Sequence, residues 1–225
     1  MSTIIEDHAL REKRFIFTDR HDAGRRLGAL IRTRPALVNP VVLAIPAGGV
    51  PVGIEIAIGL GVPLSLAIVR KVRIPGSTEA GFGAVTWDGR VLINDRLRAA
   101  LRLSQEDVDA AVITTRRNVE ERINRFTKGR PFPDIAGKTT ILVDDGLASG
   151  FTMLAALTSI KTLHPLRILV AVPTASASSI EVVARQCDEI ICANIRGGRY
   201  FAVAEAYREW YDLDDREVMA ELARV

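Results

Sequence analysis

Ile141-Leu142-Val143-Asp144-Asp145-Gly146-Leu147-Ala148-Ser149-Gly150-Phe151-Thr152 is the stretch on which the fold turns. Ile141 to Val143 predicts a strand buried on both faces, because its apolar run has no polar alternation. Phe151 to Leu157 is helical in character, so a strand, a glycine-containing turn and a helix N-terminus follow in immediate succession. Such a junction is an anion site: the first N–H groups of the helix lack intrahelical acceptors, and the positive end of its dipole points the same way. Gly146 and Gly150 let the chain turn sharply and approach a ligand closely, while Ser149 and Thr152 offer hydroxyls to the same phosphate. Asp144 and Asp145 require a different contact, since an ionised carboxylate is an acceptor only. Adjacent sugar hydroxyls supply matching donors. The segment has neither the GK[ST] of a nucleoside-triphosphate P-loop nor a G-x-G-x-x-G.

Outward from this junction, apolar β-rich runs recur at 41–45, 64–69, 140–143, 167–172 and 189–193. Helical stretches lie between them, at 22–32, 50–60, 104–127, 151–163, 178–185 and 215–223. Strands apolar on both faces and separated by helices predict an α/β domain, a parallel sheet covered by helices on both sides. The connection from Arg70 to Asn94 departs from this rhythm. It holds a Pro-Gly turn and two short β-like runs, 82–86 and 90–93, joined at Trp87-Asp88-Gly89, and Asp-Gly is a strong hairpin signal. A hairpin excursion over about 70–94 is expected, within one domain spanning 1–225. No fixed-period repeat or Ser/Gly linker divides the chain.

Composition narrows the function classes. Thirty Lys+Arg against twenty-seven Asp+Glu leave a net charge of only +3. The charges alternate in sign, as in Arg116-Arg117-Asn118-Val119-Glu120-Glu121-Arg122, which reads as a solvated helix face and not as a nucleic-acid stripe. Apolar runs fall far short of the roughly 20 residues of a membrane span. The first residues lack the apolar core of a secretory signal, so a cytoplasmic protein is expected. Cys187 and Cys192 make neither a disulfide framework nor a zinc site and are read as buried thiols.

Two further segments carry exposed donors. Pro46-Ala47-Gly48-Gly49 is a strand-to-helix turn with amides free to meet a ligand, and Arg70-Lys71, followed by Arg73, sets three cations beside the Pro-Gly turn.

Val143 to Thr152 resembles the PRPP-binding motif of the type I phosphoribosyltransferases, in which hydrophobic residues precede two acids and a Gly/Ser/Thr-rich loop (PRPP is 5-phosphoribosyl-1-pyrophosphate). Phe17-Thr18-Asp19-Arg20, the stretch from Arg70 to Val85 and Val170-Ala171-Val172-Pro173 extend the likeness to a group of uncharacterised bacterial and archaeal phosphoribosyltransferase-like proteins. The resemblance implies the family's PRPP-binding fold with a small hairpin or hood excursion, the hood contributed by about 194–225. It implies that Asp144 and Asp145 hold the ribose hydroxyls while Gly146 and Ala148, Ser149, Gly150, Phe151 and Thr152 surround the 5-phosphate. Phe151 stands where the family more often has a small residue. Ala47, Gly48, Gly49, Arg70 and Lys71 would meet pyrophosphate, with Lys71, Arg73 and Asp145 nearest the chemistry and the loop beyond closing over it. Glu79 is a further candidate, as loop anchor or site carboxylate.

The implied reaction displaces pyrophosphate at ribose C1 by an acceptor nitrogen. Mg2+ would be held mainly through PRPP, so no dedicated metal ligands are expected. A small-molecule acceptor and a homodimer complete the expectation. Two other readings stand beside it: a regulatory protein that binds PRPP without transfer, and a phosphosugar hydrolase using the same loop. The aromatics of the C-terminal segment, from Tyr200 to Tyr211, could stack on a base, fill the core or meet a second copy.

Overall fold

The structure is a computed structural model and describes residues 2–34, 37–77, 80–198 and 200–225. In chain order its elements are β1 (Thr3–Ile5), α1 (Arg20–Arg32), β2 (Val41–Ala44), α2 (Gly49–Leu60), β3 (Leu64–Leu66), β4 (Val69–Arg73), β5 (Gly81–Thr86), β6 (Val91–Ile93), α3 (Asp95–Ala100), α4 (Gln105–Thr127), β7 (Thr139–Val143), α5 (Phe151–Lys161), β8 (Arg167–Ser176), α6 (Ala177–Ala184), β9 (Glu189–Arg196), a 3-10 helix (Val203–Ala206) and α7 (Asp215–Leu222). Six strands form one parallel sheet in the order β1-β9-β8-β7-β2-β3. The α/β architecture read from the sequence is present.

Period-two alternation divides the sheet's side chains between two cores. Ile141 and Val143 of β7 join Leu169 and Ala171 of β8 beneath α1 and α2. Leu142, Val170 and Val172 face the other way, with Met153, Ala156 and Ile160 of α5 and Ile180 and Val183 of α6. Helices on both faces explain why these strands read as unbroken apolar runs. Among the described residues, no helix is long and apolar enough to cross a membrane.

The expected strand over 64–69 is two strands in two sheets. Leu64 to Leu66 pairs with β2, and Ala67 N–H donates to Ala44 O. The chain then leaves that edge, and Val69 pairs antiparallel with Thr86. The hairpin at Trp87-Asp88-Gly89 is where expected, with Gly89 at φ +81°, but it belongs to a three-stranded antiparallel sheet, β4-β5-β6. The cations of Arg70, Lys71 and Arg73 had hidden β4 from an apolar reading. A third core, built from Val72, Phe82 and Val85 with Val108, Val119 and Phe126 of α4 and Val218 of α7, joins this small sheet to the domain. β1 and α3 went unread because each is too short to show a period.

Caps fix several helix starts: Asp19 accepts from Asp22 N–H at α1, and Ser104 forms a reciprocal capping box with Asp107 at α4. The small sheet is tied to α5 by polar contacts. Thr86 Oγ1 and Ser159 Oγ donate to Asp88 Oδ1 at 2.5 and 2.8 Å, and Arg90 Nε donates to Asp88 Oδ2 at 2.9 Å. Burial pushes the Asp88 carboxyl up, but these bonds together outweigh it and hold it below its ordinary value. A depressed carboxyl stabilises the fold above its unfolded value, and the contribution is lost as pH falls through the folded one. Asp88→Asn is therefore expected to cost about 1–2 kcal/mol in urea unfolding at neutral pH, with the difference from the parent shrinking in acid.

Candidate functional site

β2 and β7 are neighbours in the sheet and parallel, so the turns after them lie side by side at its carboxyl edge, where ligands bind in open α/β folds. Ile45 N–H donates to Val143 O at 2.9 Å, extending the pairing to the last residue before both turns. The turn after β2 contains the cis peptide Pro46–Ala47. Gly48 sits directly against the acid pair: a Cβ there would lie 1.8 Å from Asp145 Oδ2, and one at Gly49 would lie 2.7 Å from Val143 O. Only glycine lets the two turns approach this closely. Gly48 is thus brought against Asp145, and Gly49 against Val143 and Asp144.

The turn after β7 leads into the start of α5. Gly150, at φ +70°, starts α5 with no side-chain cap. Among the described residues, the amides of Ala148, Ser149 and Gly150 donate to no backbone carbonyl, and Ala148 and Ser149 are exposed. Ser149 Oγ accepts from Phe151 N–H at 3.3 Å, so its hydroxyl already faces the helix start. The half-buried Phe151 packs against the α5-side core. From below, Leu147 pairs with β8 through Thr174 O and Ser176 N–H, and Ser176 Oγ donates to Ala148 O. Gly146 presses on Val203, where a Cβ would come within 2.6 Å of a methyl carbon.

Burial pushes the Asp144 carboxyl well above its ordinary value, and the adjacent Asp145 charge adds to this. Burial raises Asp145 too, against the pull of Arg20. Lys71 acts on both acids as a nearby opposite charge, though its side chain is exposed. Arg70, Lys71 and Arg73 together line a cleft against α4. Strand alternation puts Arg70 opposite Val85, on the α4 side, and a register shift at Val72/Arg73 turns Arg73 toward Arg70 and Arg122. Glu79 lies outside the described residues.

Sequence reading missed Arg20. Its Nε donates to Asp145 Oδ2 at 2.9 Å and its Nη1 to Tyr211 O at 2.9 Å, while its guanidinium stacks 3.9 Å over the Trp210 ring. Tyr207 Oη donates to Asp145 O at 2.6 Å, and its ring lies 5.2 Å from that of Trp210. The C-terminal aromatics from Tyr207 to Trp210 thus brace the acid pair, whereas Tyr200 is 89% exposed. One local signal was available: an arginine in the first turn of α1 opposes the helix dipole, so it needs a partner elsewhere. Neither thiol takes part. Cys192 is buried and pushed up to about 12, and Cys187, only half-buried, to about 11. Among the described residues, no three His, Cys, Asp or Glu side chains gather as metal ligands.

The raised Asp144 carboxyl has a consequence for stability. The unfolded chain releases this proton at lower pH than the folded one, so stability falls as pH rises from the unfolded value to the folded one. Asp144→Asn keeps the acceptor for Asp145 N–H and removes the buried charge. It is expected to raise the melting temperature by a few degrees at neutral pH, and less below about pH 4, where the unfolded carboxyl is itself protonated, measured by calorimetric melting.

The comparisons with known proteins bear on this geometry. The phosphoribosyl transferase domain family matches residues 24–206. Two Mycobacterium tuberculosis strains, CDC 1551 and H37Rv, each have a protein whose name assigns it provisionally to the phosphoribosyl transferases, 34% identical over 209 residues. The match takes in 93% of this chain but 47% of the relative, so the chain spans about half the length of the curated relatives it matches. The crystal structure of TT1426 from Thermus thermophilus superposes with a TM-score of 0.73 at 34% identity, covering 94% of this chain and 99% of that one. The Aquifex aeolicus protein AQ2163, at 13% identity and TM-score 0.50 over 84% of this chain and 78% of that one, shares the fold alone. With two neighbouring βα turns converging on an acid pair and a family match across most of its length, the chain belongs to the phosphoribosyl transferase domain family.

Proposed function

We propose that the chain binds Mg-PRPP and transfers its phosphoribosyl group to a small nitrogenous acceptor, releasing pyrophosphate. The observation that carries this reading is the contact of Gly48 with Asp145, which sets a diol-binding acid pair between two amide-lined turns. The loop amides of Ala148 to Gly150, with the Thr152 hydroxyl and the start of α5, take the 5-phosphate. Asp144 and Asp145 accept from the ribose hydroxyls, and the turn from Ala47 to Gly49 with Lys71 takes the pyrophosphate. Arg20 is a positioning residue, occupying one oxygen of Asp145 and leaving the other to the ligand.

Magnesium fits this donor set, because buried carboxylates raised by their surroundings are stabilised by a hard cation. When bound through PRPP it would supply positive charge that stabilises the departing pyrophosphate. The C1–O bond to pyrophosphate breaks, the acceptor nitrogen forms the new C1–N bond from the opposite face, and its proton leaves to solvent. Lys71 and the turn amides hold the charge that gathers on the leaving group.

Calorimetry of Mg-PRPP binding tests the reading. Asp145→Ala is expected to weaken binding by about 10- to 100-fold, the worth of a charged hydrogen bond; parent-like affinity would reject the site. The acid pair must be ionised to accept from the diol, so affinity is expected to rise with pH through the pair's titration. Lys71 favours the ionised pair, and Lys71→Met should move that rise to higher pH. Pyrophosphate release against purines, pyrimidines, orotate and small amines separates transfer from binding alone.

A further inference from the structure

Where β3 forms the outer edge of the large sheet, a recess of about 790 Å3 opens between that strand, the ends of α2, α4 and α7, and the segment 130–133. Its volume is that of a small-molecule site. None of the residues assigned above to PRPP or pyrophosphate lines it. Val41 and Leu64, which do, are the first residues of β2 and β3, so the recess reaches the amino end of the strands, whereas the acid pair follows the carboxyl end of β7.

The walls are apolar and sunken. Leu66, Ile68 and Phe126 border the recess at 7, 1 and 6% exposed, and Leu64, Ile123 and Met219 are half-buried. Trp87 lies on one wall, stacked on Phe132 with 4.6 Å between ring centroids. Surfaces so recessed suit a slender ligand, because a folded partner reaches only rim residues such as Ile58, 56% exposed. β3 has three residues, a short edge of the kind that discourages another strand from pairing. A second hollow of about 560 Å3 shares Val62, Pro63 and Pro133 with the recess and runs on to Asn39, so the apolar surface is elongated.

The charges at the rim have one sign. Lys128 and Arg130 are exposed, and among the described residues neither side chain is in an ion pair or a hydrogen bond. No Asp or Glu side chain lines the recess among those residues. Lys128 is the C-cap of α4, where a cation answers the helix dipole. Arg130 lies beyond the helix end, so the dipole does not account for it.

We propose that this recess binds a medium-chain fatty acid, its chain along the β3 edge and its carboxylate at Lys128 and Arg130. Each methylene withdrawn from water favours binding, and the unbranched Met219 side chain lets the wall adapt to a flexible chain. The two cations add a preference for the charged head, modest because both are exposed.

Octanoate and the neutral octanol are the probes, titrated by calorimetry into the whole chain below their aggregation concentrations. Octanoate is expected to bind more tightly than octanol. Lys128→Glu combined with Arg130→Glu, which disturbs no contact because both side chains are unpaired, should weaken octanoate by about fivefold or more and leave octanol unchanged. Trp87 locates the ligand: of the two tryptophans it lines the recess and Trp210 does not. Octanoate should therefore change the fluorescence of the parent and not that of Trp87→Phe. Binding should also raise the melting temperature of the parent. No binding by the parent, octanoate unaffected by the charge reversals, a fluorescence response that survives Trp87→Phe, or a lowered melting temperature would overturn the proposal. So would self-association of the ligand-free chain that octanoate reverses in sedimentation, which would make this face an interface between copies.

Discussion

Asp145 occupies the space that any side chain on residue 48 would need, and much of the molecule is arranged around that contact. Two parallel strands bring their ends together, and glycine in one turn admits the carboxylate at the end of the other. An acid in such a place is costly, because burial disfavours its charge and Asp144 stands beside it. Arg20 from α1, Lys71 from β4 and the Tyr207 hydroxyl on the Asp145 carbonyl offset part of that cost. Four segments distant in sequence are thereby held to one strand end. The unfavourable energy that remains is that of two neighbouring acids held away from water.

The turn after β7 and the sheet were legible because their signals are local. An apolar run, two acids, a glycine turn and a helix start occupy twelve consecutive residues, and the order of elements constrains a parallel sheet strongly. The turn from Ala47 to Gly49 was legible for the same reason. What escaped was non-local. Nothing within a few residues of Arg20 names Asp145 as its partner, and Trp210 reads as an ordinary core aromatic until the fold stacks it on that guanidinium. The strand carrying Arg70-Lys71 escaped as well, because a run of cations does not read as an apolar β segment.

β4 carries three cations, Arg70, Lys71 and Arg73, which line one cleft against α4, and the Lys71 charge is also felt by the acid pair. The Asp88 contacts with Thr86 and Ser159 tie the small sheet to α5, whose start follows the turn after β7. Cations and loop are thus referenced to one rigid body, and β4 cannot shift far without disturbing α5.

The contact between Arg20 and Asp145 joins residues 125 positions apart, and that between Arg20 and the Tyr211 carbonyl spans 191. On a ribosome, the arginine emerges long before either acceptor, and the last of them follows most of the chain. Contacts so remote in sequence slow a folding reaction, because the loops between them must close first. The carboxyl edge of the sheet is accordingly among the last parts of the polypeptide to become complete during synthesis, and a nascent chain that pauses before Tyr207 presents its acids without their brace.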